Sequence, residues 1–271
     1  MKTLSRIFVI VCAAAALAPL AWHVVSSLKT ASEISLIPPT LLPHRVTFFN
    51  YEELFIQRPF LRYYLNSFTI AAMSSLISVM SAALLGYRLA RMRSRLRSAV
   101  RSTLLAVAFF PPIVFLFPLY ELIRTVGLVN HPWGLILPYA ALNLPFATWL
   151  VAGSFAQIPY ELEEAAAIDG LSRFDTFRRI LLPLVMPAMI TAGILVFIFS
   201  WNEFMFALTF MNNDSQKTVT LAVASLSGAF AYEIPWGQIA AGVIASSLPL
   251  VALIILFERR IISGLTAGAG K

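Results

Sequence analysis

Residues 161–183 read ELEEAAAIDGLSRFDTFRRILLP, a charged segment between two strongly apolar stretches of the chain. The whole chain of 271 residues is 59% hydrophobic and only 12% charged, so this concentration of ionised side chains needs a local explanation. Each charged side chain at the centre of a membrane helix costs about 2.5–3.5 kcal/mol. The charged residues at 161–175 are Glu161, Glu163, Glu164, Asp169, Arg173 and Asp175. Together they would cost more than ~10 kcal/mol, and we therefore expect the segment to lie outside the hydrocarbon.

The order of residues in this segment predicts a short helix, a turn and a second helix. Pro159 suits the first position of a helix, the following glutamates suit its first turns, and three consecutive alanines are the best helix formers. Gly170 is the residue type preferred just after a helix end. Ser172, with Asp175 three residues later, is an acidic variant of the capping box. From the residues alone, the segment at 159–183 is either a solvated connection or a docking surface for another protein.

Composition places the rest of the chain in a membrane. The mean hydropathy is +0.81, and the hydrophobic fraction exceeds the roughly 45–50% that is usual for soluble domains. Runs that reach the roughly 20 residues needed for a membrane helix lie near 7–28, 65–87, 102–123, 134–157, 184–210 and 238–257. These runs are continuous and lack the period of two that a β-barrel requires. We therefore predict an all-α polytopic membrane protein with six transmembrane helices, formed by a single domain over residues 1–271.

The positive charges indicate how the spans are oriented. If both termini are cytoplasmic, fourteen of the twenty lysines and arginines lie on the cytoplasmic side, in agreement with the positive-inside rule. They are Lys2, Arg6, Arg88, Arg91, Arg93, Arg95, Arg97, Arg101, Arg173, Arg178, Arg179, Arg259, Arg260 and Lys271. This distribution explains the net charge of +7 by topology, without nucleic-acid binding. The first run continues to Leu28 and is long enough to span, so we expect a retained anchor rather than a cleaved signal peptide.

The charged segment resembles a known family motif. Glu164-Ala165-Ala166, then Gly170 after three residues, then Ile180 after nine, and Leu182-Pro183 after one more, match the EAA motif of ATP-binding-cassette importer permeases. In that family the motif forms a cytoplasmic coupling helix that docks in a groove of the ATPase subunit. The resemblance implies that the contact to the ATPase is made by Glu163, Glu164, Ala165, Ala166, Ile168, Asp169, Gly170 and Phe174.

The resemblance extends over most of the chain and points to the maltose-type (MalG-like) sugar permease branch. The stretches at 65–91, 199–208 and 236–271 are similar to the second span, the fifth span and the tail of that branch. Glu258 stands where the branch more often has glutamine, which leaves that local polar contact open. The implied fold is that of a type I (MetI-like) importer permease in the bacterial inner membrane. The implied cargo is a di- or oligosaccharide such as trehalose or maltose, with glycerol phosphate or another small solute as the alternative.

The resemblance also implies partners that supply what the chain lacks. A P-loop requires G-x-x-x-x-G-K-[ST], and the terminal GAGK does not satisfy it because residue 265 is leucine. We therefore expect no catalytic residue, metal or cofactor in this chain, with ATP and magnesium bound by a partner ATPase dimer. A second homologous (MalF-like) permease and an extracytoplasmic solute-binding protein complete the expected assembly. The competing classes are an ion-coupled carrier, which needs inverted repeats and several buried acids, and a membrane-embedded enzyme, which needs a catalytic constellation.

Glu203 is the ionisable residue that the sequence places inside a span. Such residues are costly in a membrane and often functional. With Asn202 and the neighbouring aromatic residues it could recognise sugar hydroxyls and rings. Alternatively it could link neighbouring helices by hydrogen bonds, and the residues favour this second interpretation slightly. Asn143 and Asn66 are weaker candidates for the substrate pathway.

Overall fold

The computed structural model describes residues 2–92, 94–226 and 234–269, and these residues contain helices and connections but no strand. The α-helices of the first half are α1 (Lys2–Ser27), α2 (Ala31–Ile34), α3 (Phe49–Glu52), α4 (Phe60–Ala90), α5 (Ser94–Ala108) and α6 (Leu116–Thr125). Those of the second half are α7 (Trp133–Phe155), α8 (Glu161–Ile168), α9 (Arg173–Thr176), α10 (Leu182–Asn202), α11 (Met205–Phe210), α12 (Val219–Ala224) and α13 (Trp236–Ala269). The all-α prediction is confirmed.

Helices that could cross a membrane correspond to the predicted apolar runs. Within the described residues, the helices long and apolar enough are Arg6–Ser27, Phe60–Ala90, Trp133–Phe155, Arg173–Asn202 and Trp236–Glu258. A sixth span is formed if the bent pair Arg95–Ala108 and Pro112–Thr125 counts as one. The prediction of six transmembrane helices agrees with this larger count.

The span predicted at 102–123 is bent rather than straight. Its two helical parts meet at an angle of 81°. Pro111 and Pro112 lie at the bend. The helix is interrupted there because proline lacks the N–H that a helix needs and disfavours helical geometry in the residue before it. A short 3₁₀ turn, Pro112–Phe115, then leads into α6.

The span predicted at 184–210 also differs from a simple helix. It begins earlier, because α9 continues through one π-helical turn, Phe177–Leu181, directly into α10. It then breaks after Asn202, where Glu203 has extended backbone geometry with ψ of 135°. The fifth span is therefore continuous with the second helix of the charged segment.

The described chain divides into two units, the first formed by residues 2–65, 217–226 and 234–251. In this unit the buried Asn50 donates hydrogen bonds of 2.9 Å to the carbonyls of Ser27 and Lys29. Gly237 lies so close to Asn50 that a Cβ there would clash with its side chain. The hydroxyl of Tyr64 donates to the carbonyl of Ala245 at 3.2 Å. Asn50 thus joins α3 to the end of α1 and to α13, and Tyr64 joins α4 to α13.

The second unit comprises residues 66–92, 94–216 and 252–269. Its core is formed by α4, α7 and α10, with α5 packed against α7. Small residues let these helices approach closely, as is usual in membranes. Gly86 is one example, since a Cβ there would lie 3.0 Å from the backbone nitrogen of Ala152. Ser75 donates a 2.7 Å hydrogen bond to the carbonyl of Gly193. The prediction of one domain over residues 1–271 stays a prediction.

Candidate functional site

Helix α8 ends as the sequence predicts but begins at Glu161, so Pro159 precedes the helix and does not occupy its first position. It begins two residues after Pro159, and its first turn carries three glutamates, where the helix dipole favours negative charge. Gly170 follows the helix with φ of +81°, a left-handed conformation that glycine adopts without strain. The Gly170 N–H donates to the carbonyl of Ala167 at 3.1 Å, and the Leu171 N–H donates to that of Ala166 at 3.0 Å. This pair of bonds is a Schellman motif and satisfies carbonyls that the helix end leaves free.

Helix α9 is capped as the Ser172–Asp175 pattern predicts. The Ser172 hydroxyl accepts a hydrogen bond from the Asp175 N–H at 3.1 Å and donates one to its carboxylate at 2.6 Å. Because α9 runs on into α10, the charged segment is joined to a membrane span without a flexible connection.

Glu163 attaches α8 to the end of α4. Its carboxylate accepts a hydrogen bond from Nε of Arg91 at 2.5 Å and another from the hydroxyl of Tyr87 at 2.8 Å. The two terminal nitrogens of Arg91 donate to the carbonyl of Ile158 at 3.3 Å. The guanidinium also lies 5.8 Å from the ring centre of Tyr160. One arginine thus holds both the start of α8 and the chain that precedes it.

Sequence analysis did not assign Arg91 or Tyr87 to the site. Tyr87 packs against Phe155 and Phe177, with ring centres 5.7 and 5.4 Å apart, and these two phenylalanines stack on each other. The signal in the sequence was the group of arginines after the second span. That group contains six arginines, and no local pattern distinguishes the one that pairs with α8.

The residues expected to contact the ATPase divide into an anchoring set and an exposed set. Glu163 is 14% exposed and engaged with Arg91, and Ala166 is buried. The side chains of Ile168 and Phe174 are 86% and 67% exposed, which is unusual for large apolar residues. The other exposed members are Glu164, Ala165, Asp169 and Gly170. The segment thus presents an acidic and apolar face that no other part of the described chain covers.

A groove of about 560 Å³ lies between the exposed segment and the end of α4. It has cationic residues on the α4 side and carboxylates on the α8 side. Its lining includes Leu84, Tyr87, Arg88, Arg91, Tyr160, Glu163, Glu164, Ala167, Leu171, Arg173, Phe174, Thr176 and Phe177. This mixture of charges suits contact with a protein surface better than enclosure of a small apolar ligand.

Glu203 accepts hydrogen bonds from its own chain segment and from a neighbouring helix. The backbone N–H groups of Phe206 and Ala207 donate to its carboxylate at 2.9 and 3.2 Å. The hydroxyl of Tyr139 on α7 donates a third, short hydrogen bond. Glu203 therefore satisfies the free N–H groups at the start of α11 and links the broken span to α7. These are the hydrogen bonds of a residue that links helices, and a role of Glu203 in sugar recognition stays a prediction.

The other pathway candidates, Asn143, Asn202 and Asn66, donate hydrogen bonds to backbone carbonyls. Asn143 lies one turn from Tyr139 on α7 and donates to the Tyr139 carbonyl at 2.8 Å. Asn202 is exposed and donates to the Ile198 carbonyl of its own helix at 2.9 Å. Asn66 donates to the carbonyl of Ser215 at 3.0 Å. Among the described residues, no group of three or more His, Cys, Asp or Glu side chains could hold a metal ion.

Comparison with known proteins places most of the chain in one family. The family model of the "Binding-protein-dependent transport system inner membrane component" matches residues 77–263. The chain is 38% identical over 253 residues to the sulfoquinovosyl glycerol transport system permease protein SmoH of Agrobacterium fabrum, covering 93% of this chain and 88% of that protein. It is 37% identical over 256 residues to the trehalose/maltose transport system permease protein MalG of Thermococcus litoralis, covering 93% of this chain and 91% of that protein.

A solved structure has the same fold. The chain superposes on a bacterial ABC transporter involved in the import of the acidic polysaccharide alginate with a TM-score of 0.79. The two chains are 19% identical, and the superposition covers 95% of each. At this identity the likeness establishes the fold.

Proposed function

Because this chain belongs to the family of binding-protein-dependent transport system inner membrane components, we propose that it is the sugar-translocating permease subunit of an ATP-binding-cassette importer. It is a multi-pass membrane protein, and the proposed role is passive: the chain forms part of the pathway but hydrolyses nothing. ATP and magnesium are bound by a partner ATPase dimer. A second homologous permease completes the pore, and an extracytoplasmic solute-binding protein delivers the cargo.

The observation that carries this proposal is the division of α8 into an anchored side and an exposed side. Glu163 and Ala166 hold the helix to its own chain, while Glu164, Ala165 and Ile168 face outward. The ion pair fixes the orientation of α8, and the exposed Ile168 gives its outer side an apolar contact for another protein. Both features are expected of a helix to which another protein binds.

The connections of α8 provide a route from that partner into the membrane. One connection is the ion pair of Glu163 with Arg91 at the end of α4, and the other is the continuous helix from α9 into α10. When the ATPase dimer closes around ATP, it would move α8 and thereby tilt two spans at once. The bend at Pro111 and Pro112 and the break at Glu203 are positions at which spans change direction. Alternating opening to the two sides of the membrane follows from such tilting.

The cargo is proposed to be a di- or oligosaccharide such as trehalose or maltose. The relatives support a sugar, since one bears trehalose and maltose in its name and another a sulfoquinovosyl glycerol. The orientation is proposed with both termini in the cytoplasm, because this places α8 and most of the positive charge on the cytoplasmic side. Binding of candidate sugars to the cognate solute-binding protein would identify the cargo.

The coupling role is tested by changing the exposed face, with a reversed charge at Glu164 and an added carboxylate at Gly170. In the reconstituted importer, Glu164→Lys and Gly170→Asp should abolish transport and transport-stimulated ATP hydrolysis while the chain still inserts in the membrane. Glu121→Lys is the control, since Glu121 is 67% exposed on α6 and outside the segment. Normal coupling in Glu164→Lys and Gly170→Asp would contradict the proposal.

A further inference from the structure

A second groove, of about 370 Å³, lies on α5 where this helix packs against α7. Its lining is Arg97, Ser98, Arg101, Ser102, Leu105 and Trp149. The volume lies within the range of small-molecule sites. This groove is separate in its lining residues from the groove beside α8.

The polar part of this groove is a double repeat of arginine and serine. Arg97 and Arg101 are four residues apart on α5, as are Ser98 and Ser102, so each pair lies on one side of the helix about 6 Å apart along its axis. Both arginines are half-buried. Arg97 donates one hydrogen bond, at 3.4 Å, to the carbonyl of Ala90. The lining contains two guanidinium groups and two hydroxyls but no carboxylate.

This set of donors has no anionic counterpart within the described residues. The ion pairs between described residues include neither Arg97 nor Arg101. Arginine binds phosphate oxygens through paired N–H donors, and serine hydroxyls add further hydrogen bonds. The chemistry of the groove therefore fits a phosphate group.

The apolar part of the groove indicates what carries that phosphate. Leu105 lies one turn beyond Arg101 on α5, in the helical part Arg95–Ala108 that is apolar enough to belong to a span. Trp149 adds an indole, a side chain enriched where a membrane meets water. A free phosphate would use only the donors, whereas a phospholipid would use the donors with its headgroup and the apolar residues with its acyl chain.

We propose that this groove binds an anionic phospholipid, with the headgroup phosphate on Arg97 and Arg101 and an acyl chain along Leu105 and Trp149. The binding rests on the chain spanning a membrane and not on the coupling role of α8. With the proposed orientation, the lipid belongs to the cytoplasmic leaflet. A juxtamembrane arginine attracts anionic lipid, and a headgroup held by two of them is retained selectively.

The test is native mass spectrometry of the purified importer complex, titrated with dioleoyl phosphatidylglycerol or dioleoyl phosphatidylcholine. Arg101→Gln should lower the apparent affinity for the first phosphatidylglycerol about tenfold, because a charge-assisted hydrogen bond is lost. Arg95→Gln is the matched control: it removes the same charge from the same helix at an exposed position outside the groove. It should change the affinity less than about twofold. Phosphatidylcholine binding should be unaltered in both variants.

Two further measurements test the role of the hydroxyls and the alternative that the groove binds free phosphate. Ser98→Ala with Ser102→Ala retains all charge and should weaken phosphatidylglycerol binding about threefold. Millimolar inorganic phosphate should not displace the lipid. Three results would each overturn the proposal. The first is an equal loss of lipid affinity in Arg95→Gln and Arg101→Gln, and the second is displacement of the lipid by inorganic phosphate. The third is weakened association with the second permease without a loss of lipid binding. Loss of ATPase coupling in the α8 variants with unchanged lipid binding would separate the two proposals.

Discussion

Glu163 and Arg91 are 72 residues apart in the chain, and their side chains form an ion pair of 2.5 Å that fixes α8 to the end of α4. The two side chains are only 14% and 20% exposed, so water screens this pair less than an ordinary surface pair. The hydroxyl of Tyr87 donates to the same carboxylate. The pair determines where the exposed face of α8 lies relative to α4.

Removing either partner should therefore loosen α8, and Arg91→Gln should have the larger effect. Glu163→Gln weakens the ion pair, whereas Arg91→Gln also removes the two hydrogen bonds to the Ile158 carbonyl and leaves a half-buried carboxylate without its cation. We expect losses of about 1–3 kcal/mol in the stability of the unit. Thermal melting in detergent and the ratio of transported sugar to hydrolysed ATP measure the two consequences.

Arg88→Gln is the control for this prediction, because Arg88 is exposed, precedes Arg91 by one helical turn and forms no ion pair among the described residues. It should melt like the unmodified chain. In the double variant Arg91→Gln/Glu163→Gln, the losses should be smaller than the sum of the two single losses. Strict additivity would show that the two side chains do not stabilise each other.

Gly170 provides a test of the turn rather than of the charge. Its φ of +81° strains any residue with a Cβ, although no atom lies within 4 Å of the position a Cβ would occupy. Gly170→Ala should therefore cost about 1 kcal/mol, and Gly170→Asn should cost less because asparagine tolerates the left-handed region better. Melting of the two variants measures the difference. If the loss of stability were equal in the two variants, or larger in Gly170→Asn, crowding and not backbone strain would be its cause.

The parts of the fold that follow from local sequence could be predicted. The helical spans, the helix of the charged segment, the turn at Gly170 and the cap at Ser172 depend on apolar length and on residues within a few positions of one another. Membership of the family, which the EAA motif indicated, is confirmed by the match over residues 77–263. Hydrophobic length and capping chemistry were sufficient for these features.

The remaining parts depend on contacts between distant segments. Arg91 is one of six arginines near the second span, and its pairing with Glu163 is decided by how α4 and α8 pack. No proline or glycine lies within residues 194–210 around the break at Glu203, so hydropathy predicted a continuous span. The break is stabilised there because the carboxylate caps α11 and reaches Tyr139, a residue 64 positions earlier.

Glu203 should behave as a residue that links helices. Glu203→Gln leaves one acceptor oxygen for three donors, so at least one donor loses its partner, at a cost of about 1–3 kcal/mol. Tyr139→Phe removes one donor and should cost less, about 1 kcal/mol. Melting of the purified complex measures both losses. The range of transported sugars should stay the same in the fraction that assembles.

Asn202→Ala is the control for Glu203, since Asn202 is exposed and donates only to a carbonyl of its own helix among the contacts described. It should leave melting nearly unchanged. If Glu203→Gln melted normally but altered which sugars are carried, the carboxylate would belong to the substrate pathway and the helix-linking interpretation would be wrong.

Glu33 on α2 makes the loop after α1 sensitive to acid. Its carboxylate is 6% exposed and accepts hydrogen bonds from the His44 N–H at 2.9 Å and the Thr40 hydroxyl at 2.8 Å. The imidazole of His44 lies 3.1 Å from the same oxygen. The His44 backbone N–H, followed by the Thr40 hydroxyl and the nearby positive charges, holds the pKa of Glu33 below its ordinary value of 4.5.

A lowered pKa means that the folded loop prefers the ionised carboxylate, which fixes the sign of the pH dependence. The stabilisation is fully present above pH 4.5 and is lost as the pH falls through the lower pKa of the folded state. We therefore expect the difference in melting temperature between the unmodified chain and Glu33→Gln to be constant above pH 4.5 and to shrink below it. A difference that grows as the pH falls would mean that the protonated carboxyl, and not the carboxylate, holds the loop.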